Sequence, residues 1–197
     1  MASRFLLIRH AATEAAGKKL LVGSTDVEAS RASLAQLERF KTVLKGYDPE
    51  VCLCSPMRRA LQTAEKIQAV CGKCAEMTID ERLREIDFGR WEMKSFADIS
   101  LEEPEFVDDW ARFDDFSFPG GDAVLAFQNR IADIFSAMQR LPAKEVCVIT
   151  HGGVIRTMIC LALGLDVKKY LLFTVQPGSL TVLDIFSEGG VLAGLNL

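Results

Sequence analysis

Histidine is nearly absent from this chain: among 197 residues only His10 and His151 carry an imidazole. Long apolar runs are missing too. The longest apolar helix candidate, Val154 to Leu163, is interrupted by Arg156 and Thr157 and falls far short of the roughly 20 residues that a membrane crossing needs. Met1-Ala2-Ser3-Arg4 leads into only four apolar residues before Arg9, too short a stretch for a secretory leader. The expectation is a cytoplasmic protein with no membrane partner. Positive charge is not in excess, since Lys and Arg total 23 against 27 Asp and Glu, a net charge of −4. No basic run is dense enough for a nucleic-acid groove, so any positive field must be local. There is no P-loop and no carboxylate cluster of the kind that holds magnesium. Internal repeats, low-complexity tracts and linkers are lacking as well.

What is present is a globular composition, 49% hydrophobic, in a length that suits one domain over residues 1–197. Phe5-Leu6-Leu7-Ile8 reads as a buried strand that delivers Arg9 and His10 together at its carboxyl end. A second stretch repeats the arrangement, Val146-Cys147-Val148-Ile149-Thr150 ending in His151-Gly152-Gly153. In an open α/β sheet, ligands bind at that end of the strands.

Between these strands the chain alternates further elements. After a glycine-containing loop over 15–29, Ser30 can cap a helix whose apolar stripe is Leu34, Leu37, Phe40, Val43 and Leu44. Val51-Cys52-Leu53-Cys54 is a short strand, and Ser55-Pro56 predicts a helix start, serine as N-cap and proline at the first position. Glu76 to Ile79 suggests a third strand, and Asp80 to Glu92 a structured loop. Residues 94–118 mix acidic residues with Phe96, Phe106, Trp110, Phe113, Phe116 and Phe118, either a lid over a cleft or a helical excursion packed on the surface. Pro119-Gly120-Gly121-Asp122 then opens a helix, Ala123 to Arg140. The helix after His151 is apolar nearly all round and stops at Gly164. Val175 and Leu180 to Ile185 supply late strands near a sheet edge, with Gly189-Gly190 before an apolar tail. The alternation predicts an α/β fold with a mixed, largely parallel sheet flanked by helices on both faces.

Six cysteines occur. Cys71-Gly72-Lys73-Cys74 has redox spacing and, with Cys52 and Cys54, makes a conceivable four-thiolate zinc set. The simpler reading is preferred: Cys52, Cys147 and Cys160 fall in core elements, where cysteine acts as a small hydrophobe, and Gly72 is a helix C-cap. No metal is assigned.

Arg58 and Arg59 occupy the first turn of their helix, where the macrodipole favours carboxylates. Arg58 is read as solvent-facing. Arg59 is read as facing an anion. If the two histidine strands lie side by side, Arg9, His10, His151 and Arg59 converge into a cationic pocket to which helix N-termini add N–H groups, and the natural occupant is a phosphate. With neither P-loop nor magnesium site, the compatible chemistry is covalent transfer to histidine.

Five segments in order carry a family resemblance. Leu7-Ile8-Arg9-His10-Ala11-Ala12-Thr13 and Ser55-Pro56-Met57-Arg58-Arg59-Ala60-Leu61-Gln62-Thr63-Ala64 resemble the two arginine motifs of the histidine phosphatase superfamily, also called phosphoglycerate mutase-like. Leu83 to Glu92 is similar to its acid loop, and Pro119-Gly120-Gly121-Asp122 and Thr150 to Arg156 complete the set. The resemblance implies that His10 is the nucleophile, that Arg9, Arg59 and His151 hold the phosphoryl oxygens beside Gly152, and that Glu85 is the acid and base. It implies no cofactor. Asp87 and Glu92 are lesser candidates for the acid, and Arg156 is read as structural. Ala11 stands where the family has glycine, and Ala16 where many members place a phosphate-binding asparagine.

Within the family, the chain is similar to small-molecule phosphatases of the alpha-ribazole phosphatase type, which implies hydrolysis of a small phosphate ester. The alternatives are mutase-type phosphoryl transfer, a weakened member that binds a phosphate ligand, and a zinc- or thiol-dependent protein. Oligomeric state is not readable.

Overall fold

The computed structural model describes residues 3–74, 76–105, 109 and 116–197. Its centre is a sheet of six strands: β1 (Ser3–Arg9), β2 (Val51–Cys54), β3 (Thr78–Ile79), β4 (Glu145–Thr150), β5 (Leu180–Phe186) and β6 (Gly189–Gly194). Their spatial order is β3-β2-β4-β1-β5-β6. The first four run parallel, while β5 is antiparallel to both of its neighbours, β1 and β6. The sheet is therefore mixed and largely parallel, as the sequence predicts.

Period-two alternation divides β1 between two cores. Phe5 and Leu7 pack with α5 (Val124–Gln139) and α6 (Gly152–Leu163); Leu6 and Ile8 face the opposite layer of α1 (Arg31–Gln36), α2 (Phe40–Val43) and α3 (Arg58–Cys71). Burial on both faces explains why β1 and β4 read as unbroken apolar runs. Register then places the site. Arg9 lies opposite Thr150, and His10 N–H donates to the Thr150 carbonyl at 2.9 Å, so the two histidines emerge side by side.

Ser30 caps α1 by accepting the Ser33 N–H, and Gly72 closes α3 at φ +66°. Four expectations need correction. α3 begins at Arg58, with Met57 rather than Ser55 at the N-cap, because the Ser55 hydroxyl is engaged by His151. The third strand is only Thr78–Ile79. Val175 belongs to no strand, and its carbonyl accepts from Arg9. Gly189-Gly190 starts edge strand β6 instead of separating a tail.

Within 94–118, α4 (Phe96–Glu102) starts with a capping box between Ser95 and Asp98. Phe116 and Phe118 are buried, whereas Phe96 is exposed. The lid or excursion reading also rested on Phe106, Asp108, Trp110, Phe113, Asp114 and Asp115, which lie outside the described residues.

Cys147 and Cys160 are buried free thiols. Cys52 is instead joined to Cys74 by a disulfide, with Cα atoms 5.4 Å apart. The Cys147 sulfur lies within 4.8 Å of both. Burial pushes the Cys147 and Cys54 thiols up to about 12, which disfavours the thiolates that a metal needs. No helix among the described residues is long and apolar enough to cross a membrane.

Candidate active site

His10 leaves β1 with its Nδ1 2.7 Å from the Ala11 carbonyl. A carbonyl only accepts, so Nδ1 carries the proton and Nε2 keeps its lone pair. Ala11 does not adopt positive φ, which is why alanine serves where the family has glycine. Its N–H donates to Thr63 Oγ1 at 2.9 Å, and that hydroxyl donates to the Arg59 carbonyl, tying the His10 turn to α3.

The His151 ring lies 5.1 Å from that of His10, tilted by 57°. Its Nε2 meets Ser55 Oγ at 2.7 Å. Burial first, and then the nearby Arg9 and Arg59 charges, hold His10 well below the usual imidazole range. Burial likewise depresses His151, followed by His10, Arg59 and Arg9. Both rings are neutral near pH 7.

Arg59 is 0% exposed, yet no carboxylate among the described residues pairs with it. It donates to two backbone carbonyls, Thr25 at 2.9 Å and Gly23 at 2.7 Å. Glu92 shapes that loop by accepting N–H groups from Gly23, Ser24, Thr25 and Phe88. A Cβ at Gly23 would come within 1.9 Å of the Ile86 carbonyl, so only glycine fits. Glu92 thus leaves the candidate acids for a structural task, and Asp87 likewise accepts the Gly89 N–H. Arg58, by contrast, is exposed and paired with Glu28, as expected.

Arg9 donates Nη1 to the Val175 carbonyl at 2.6 Å. Burial lowers its pKa to about 10, against the supporting charge of Glu85. The guanidinium packs closely on Gly152: a Cβ there would meet its Cζ at 3.2 Å, a tight contact that would push it by a few tenths of an ångström. Gly153 serves Glu85 in the same way: a Cβ there would sit 2.4 Å from Oε1. The Glu85 carboxylate accepts the Gly153 N–H at 2.9 Å and its neighbour Ile86 N–H at 3.2 Å. It is set at the N-terminus of α6, where a carboxylate is favoured.

Among the described residues, five buried side-chain nitrogens and oxygens have no partner, and four of them are Arg9 Nε, Arg59 Nε, His151 Nδ1 and Arg156 Nε. Such groups are rare in folded proteins, and here they cluster with a helix N-terminus. The Arg9, Arg59 and His151 nitrogens together with that N-terminus are chemically complementary to a dianion. Arg9, His10, Glu85 and Gly152 also line a hollow of about 350 Å³, walled by side chains such as Leu21, Phe88, Phe118 and Phe127. Ala16 lines it too and offers no polar group.

Sequence reading missed three participants. Ser55 passes as a helix cap. Arg130 donates to the Arg82 and Arg84 carbonyls at 2.8 and 2.7 Å, clamping the acid loop; a charge beside the inward Phe127 and Ile131 was the available signal. Arg156, read as structural, lines the hollow.

An α/β sheet that ends in two neutral histidines, two buried arginines and a helix N-terminus gathers the groups that can hold a phosphoryl group. The model of the histidine phosphatase superfamily (branch 1) matches residues 5–197. The chain belongs to that superfamily and is a phosphatase of it. It is 26% identical over 195 residues to the adenosylcobalamin/alpha-ribazole phosphatase of Escherichia coli (strain K12), covering 98% of this chain and 95% of that one. Phosphoserine phosphatase 1 of Hydrogenobacter thermophilus is 25% identical, covering 98% and 92%. The crystal structure of the alpha-ribazole phosphatase from Shigella flexneri superposes with a TM-score of 0.87 at 25% identity, covering 98% of this chain and 96% of that one.

Proposed function

We propose that the protein is a metal-independent phosphomonoesterase that works through a phosphohistidine on a small phosphorylated metabolite. One observation carries this reading: the Ala11 carbonyl fixes the His10 tautomer, so that a neutral Nε2 is available beside three buried, partnerless nitrogens of Arg9, Arg59 and His151.

His10 Nε2 attacks phosphorus in line while the bond to the ester oxygen breaks. Arg9, Arg59, His151 Nδ1–H and the Gly152 N–H hold the non-bridging oxygens and offset their charge. For His151 to donate from Nδ1, Ser55 must donate its hydroxyl proton to Nε2. Glu85 protonates the departing oxygen, then removes a proton from the water that attacks the phosphohistidine. Inorganic phosphate leaves and His10 is again neutral. The whole chain, 1–197, acts as one catalytic domain, and alpha-ribazole phosphate is the first substrate to try because the Escherichia coli and Shigella flexneri relatives described above are named for it.

The test is phosphate release from an aryl phosphate in the presence of EDTA, comparing wild type with His10→Ala. Turnover by wild type, lost in a folded variant that still binds inorganic phosphate, is the expected result. Turnover abolished by EDTA, or equal turnover by both proteins, overturns the mechanism. A wild type that binds phosphate but hydrolyses nothing is instead a phosphate-ligand binding protein.

A further inference from the structure

Arg9, His10, Glu85 and Gly152 are a minority of the residues that line the hollow. The rest is formed from the 20–22 segment, the acid loop, the start of α5 and the Val167–Leu172 turn, and its side chains are mostly apolar. Tyr170 and Gln128 are among the few polar ones, and burial pushes the Tyr170 phenol up to about 12, so it stays protonated. At roughly 350 Å³ the space matches cavities that enclose sizeable organic molecules.

One cation stands in this apolar wall. Arg156 lies four residues along α6 from Gly152, about 6 Å of helical rise from the phosphate end, and helical side chains lean back toward the N-terminus. It has no hydrogen-bond or ion-pair partner among the described residues, and its Nε is buried. A guanidinium has five donors and no acceptor, so an anion or acceptor there would satisfy it. Its charge already bears on Arg9, which it helps to depress.

Resting on the phosphatase reading above, we propose that the alcohol part of the substrate is bulky and mostly apolar and carries one anionic or hydrogen-bond-accepting group that pairs with Arg156. Arg156 is then a specificity-determining residue. A small zwitterionic alcohol such as serine fits poorly: it leaves the apolar walls wet and brings an ammonium toward three arginines.

The experiment compares 2-naphthyl phosphate, its 6-carboxy derivative and O-phosphoserine as substrates. Wild type should favour the bare naphthyl ester over O-phosphoserine by at least about tenfold in kcat/KM, mainly through KM, given the apolar area a ring buries. The carboxylated ester should be better still. In Arg156→Met the preference for carboxylated over bare ester should fall by about tenfold, the scale of one charge-assisted pair, and Arg156→Lys should recover part of it. Equal losses on both naphthyl esters would overturn the proposal by assigning Arg156 to the phosphate or to the fold, and so would a preference for O-phosphoserine. If no ester were turned over, the phosphatase reading would fail alone. Calorimetric titration of the two naphthyl esters into wild type and Arg156→Met then decides the Arg156 assignment by the same ratio.

Discussion

Acidification should destabilise this protein through its two histidines, and the effect can be sized. Both rings are buried and held well below the usual imidazole value. Above about pH 6.5 the unfolded chain also keeps them neutral, so protonation makes no difference to stability. As the pH falls below that value, the unfolded chain binds a proton at each ring while the fold does not. Unfolding then takes up protons, and stability declines until the depressed folded value is reached. For a histidine of ordinary unfolded pKa, going from about pH 7 to about pH 5.5 removes roughly 1.3 kcal/mol, hence about 2.5 kcal/mol for the pair. Because the chain has no third histidine, little else titrates in this window. The assay is urea denaturation at the two pH values in phosphate-free buffer, with wild type and His10→Gln. The variant should lose about half as much as wild type; carboxylate contributions are common to both and cancel. A wild type whose stability is flat over this range, or a variant that loses as much as wild type, would refute the claim that the folded rings are neutral.

Three further outcomes are expected. Glu85→Gln should lower turnover by about 10² to 10⁴, as loss of a general acid does, and lower it less for esters whose leaving group needs no proton, such as p-nitrophenyl phosphate; an equal loss on all esters would contradict the acid role. Gly153→Ala places a Cβ 2.4 Å from Glu85 Oε1, so it should cut turnover while inorganic phosphate binding, measured by titration, stays near that of wild type. Reducing the Cys52–Cys74 disulfide, which closes a loop with a sequence separation of 22 residues around α3, should destabilise the fold by about 3 kcal/mol, read as a fall in denaturation midpoint on adding a thiol reductant.

The fold was legible where burial dictates residue type. The apolar runs at Phe5–Ile8 and Val146–Ile149 read as short strands covered on both sides, and the structure pairs them directly. The convergence of Arg9, His10 and His151 followed from that pairing. What stayed hidden depends on partners distant in sequence. The role of Glu92 appears only when the 23–25 loop folds over it, and Ser55 looks like a helix cap until His151 is seen beside it. The disulfide escaped because Cys71-Gly72-Lys73-Cys74 drew attention to adjacent spacing, whereas Cys74 bonds across to β2. The place of Arg156 on the wall of the hollow was hidden because a cation in an apolar helix gives no sign in sequence of which cavity it borders.

The side-by-side emergence of His10 and His151 also governs how this protein can change over evolutionary time. Their separation is set by neighbouring strands locked in register from Arg4 with Glu145 to Arg9 with Thr150, so it does not depend on the length of any connecting loop. Within 15–29, exposed positions such as Lys18 and Lys19 can change without touching that register, whereas Gly23 and Thr25, whose carbonyls hold Arg59, cannot move freely. A single residue inserted within β1 or β4 would shift one histidine along its neighbour and turn alternate side chains to the wrong face, so the two rings would no longer emerge side by side.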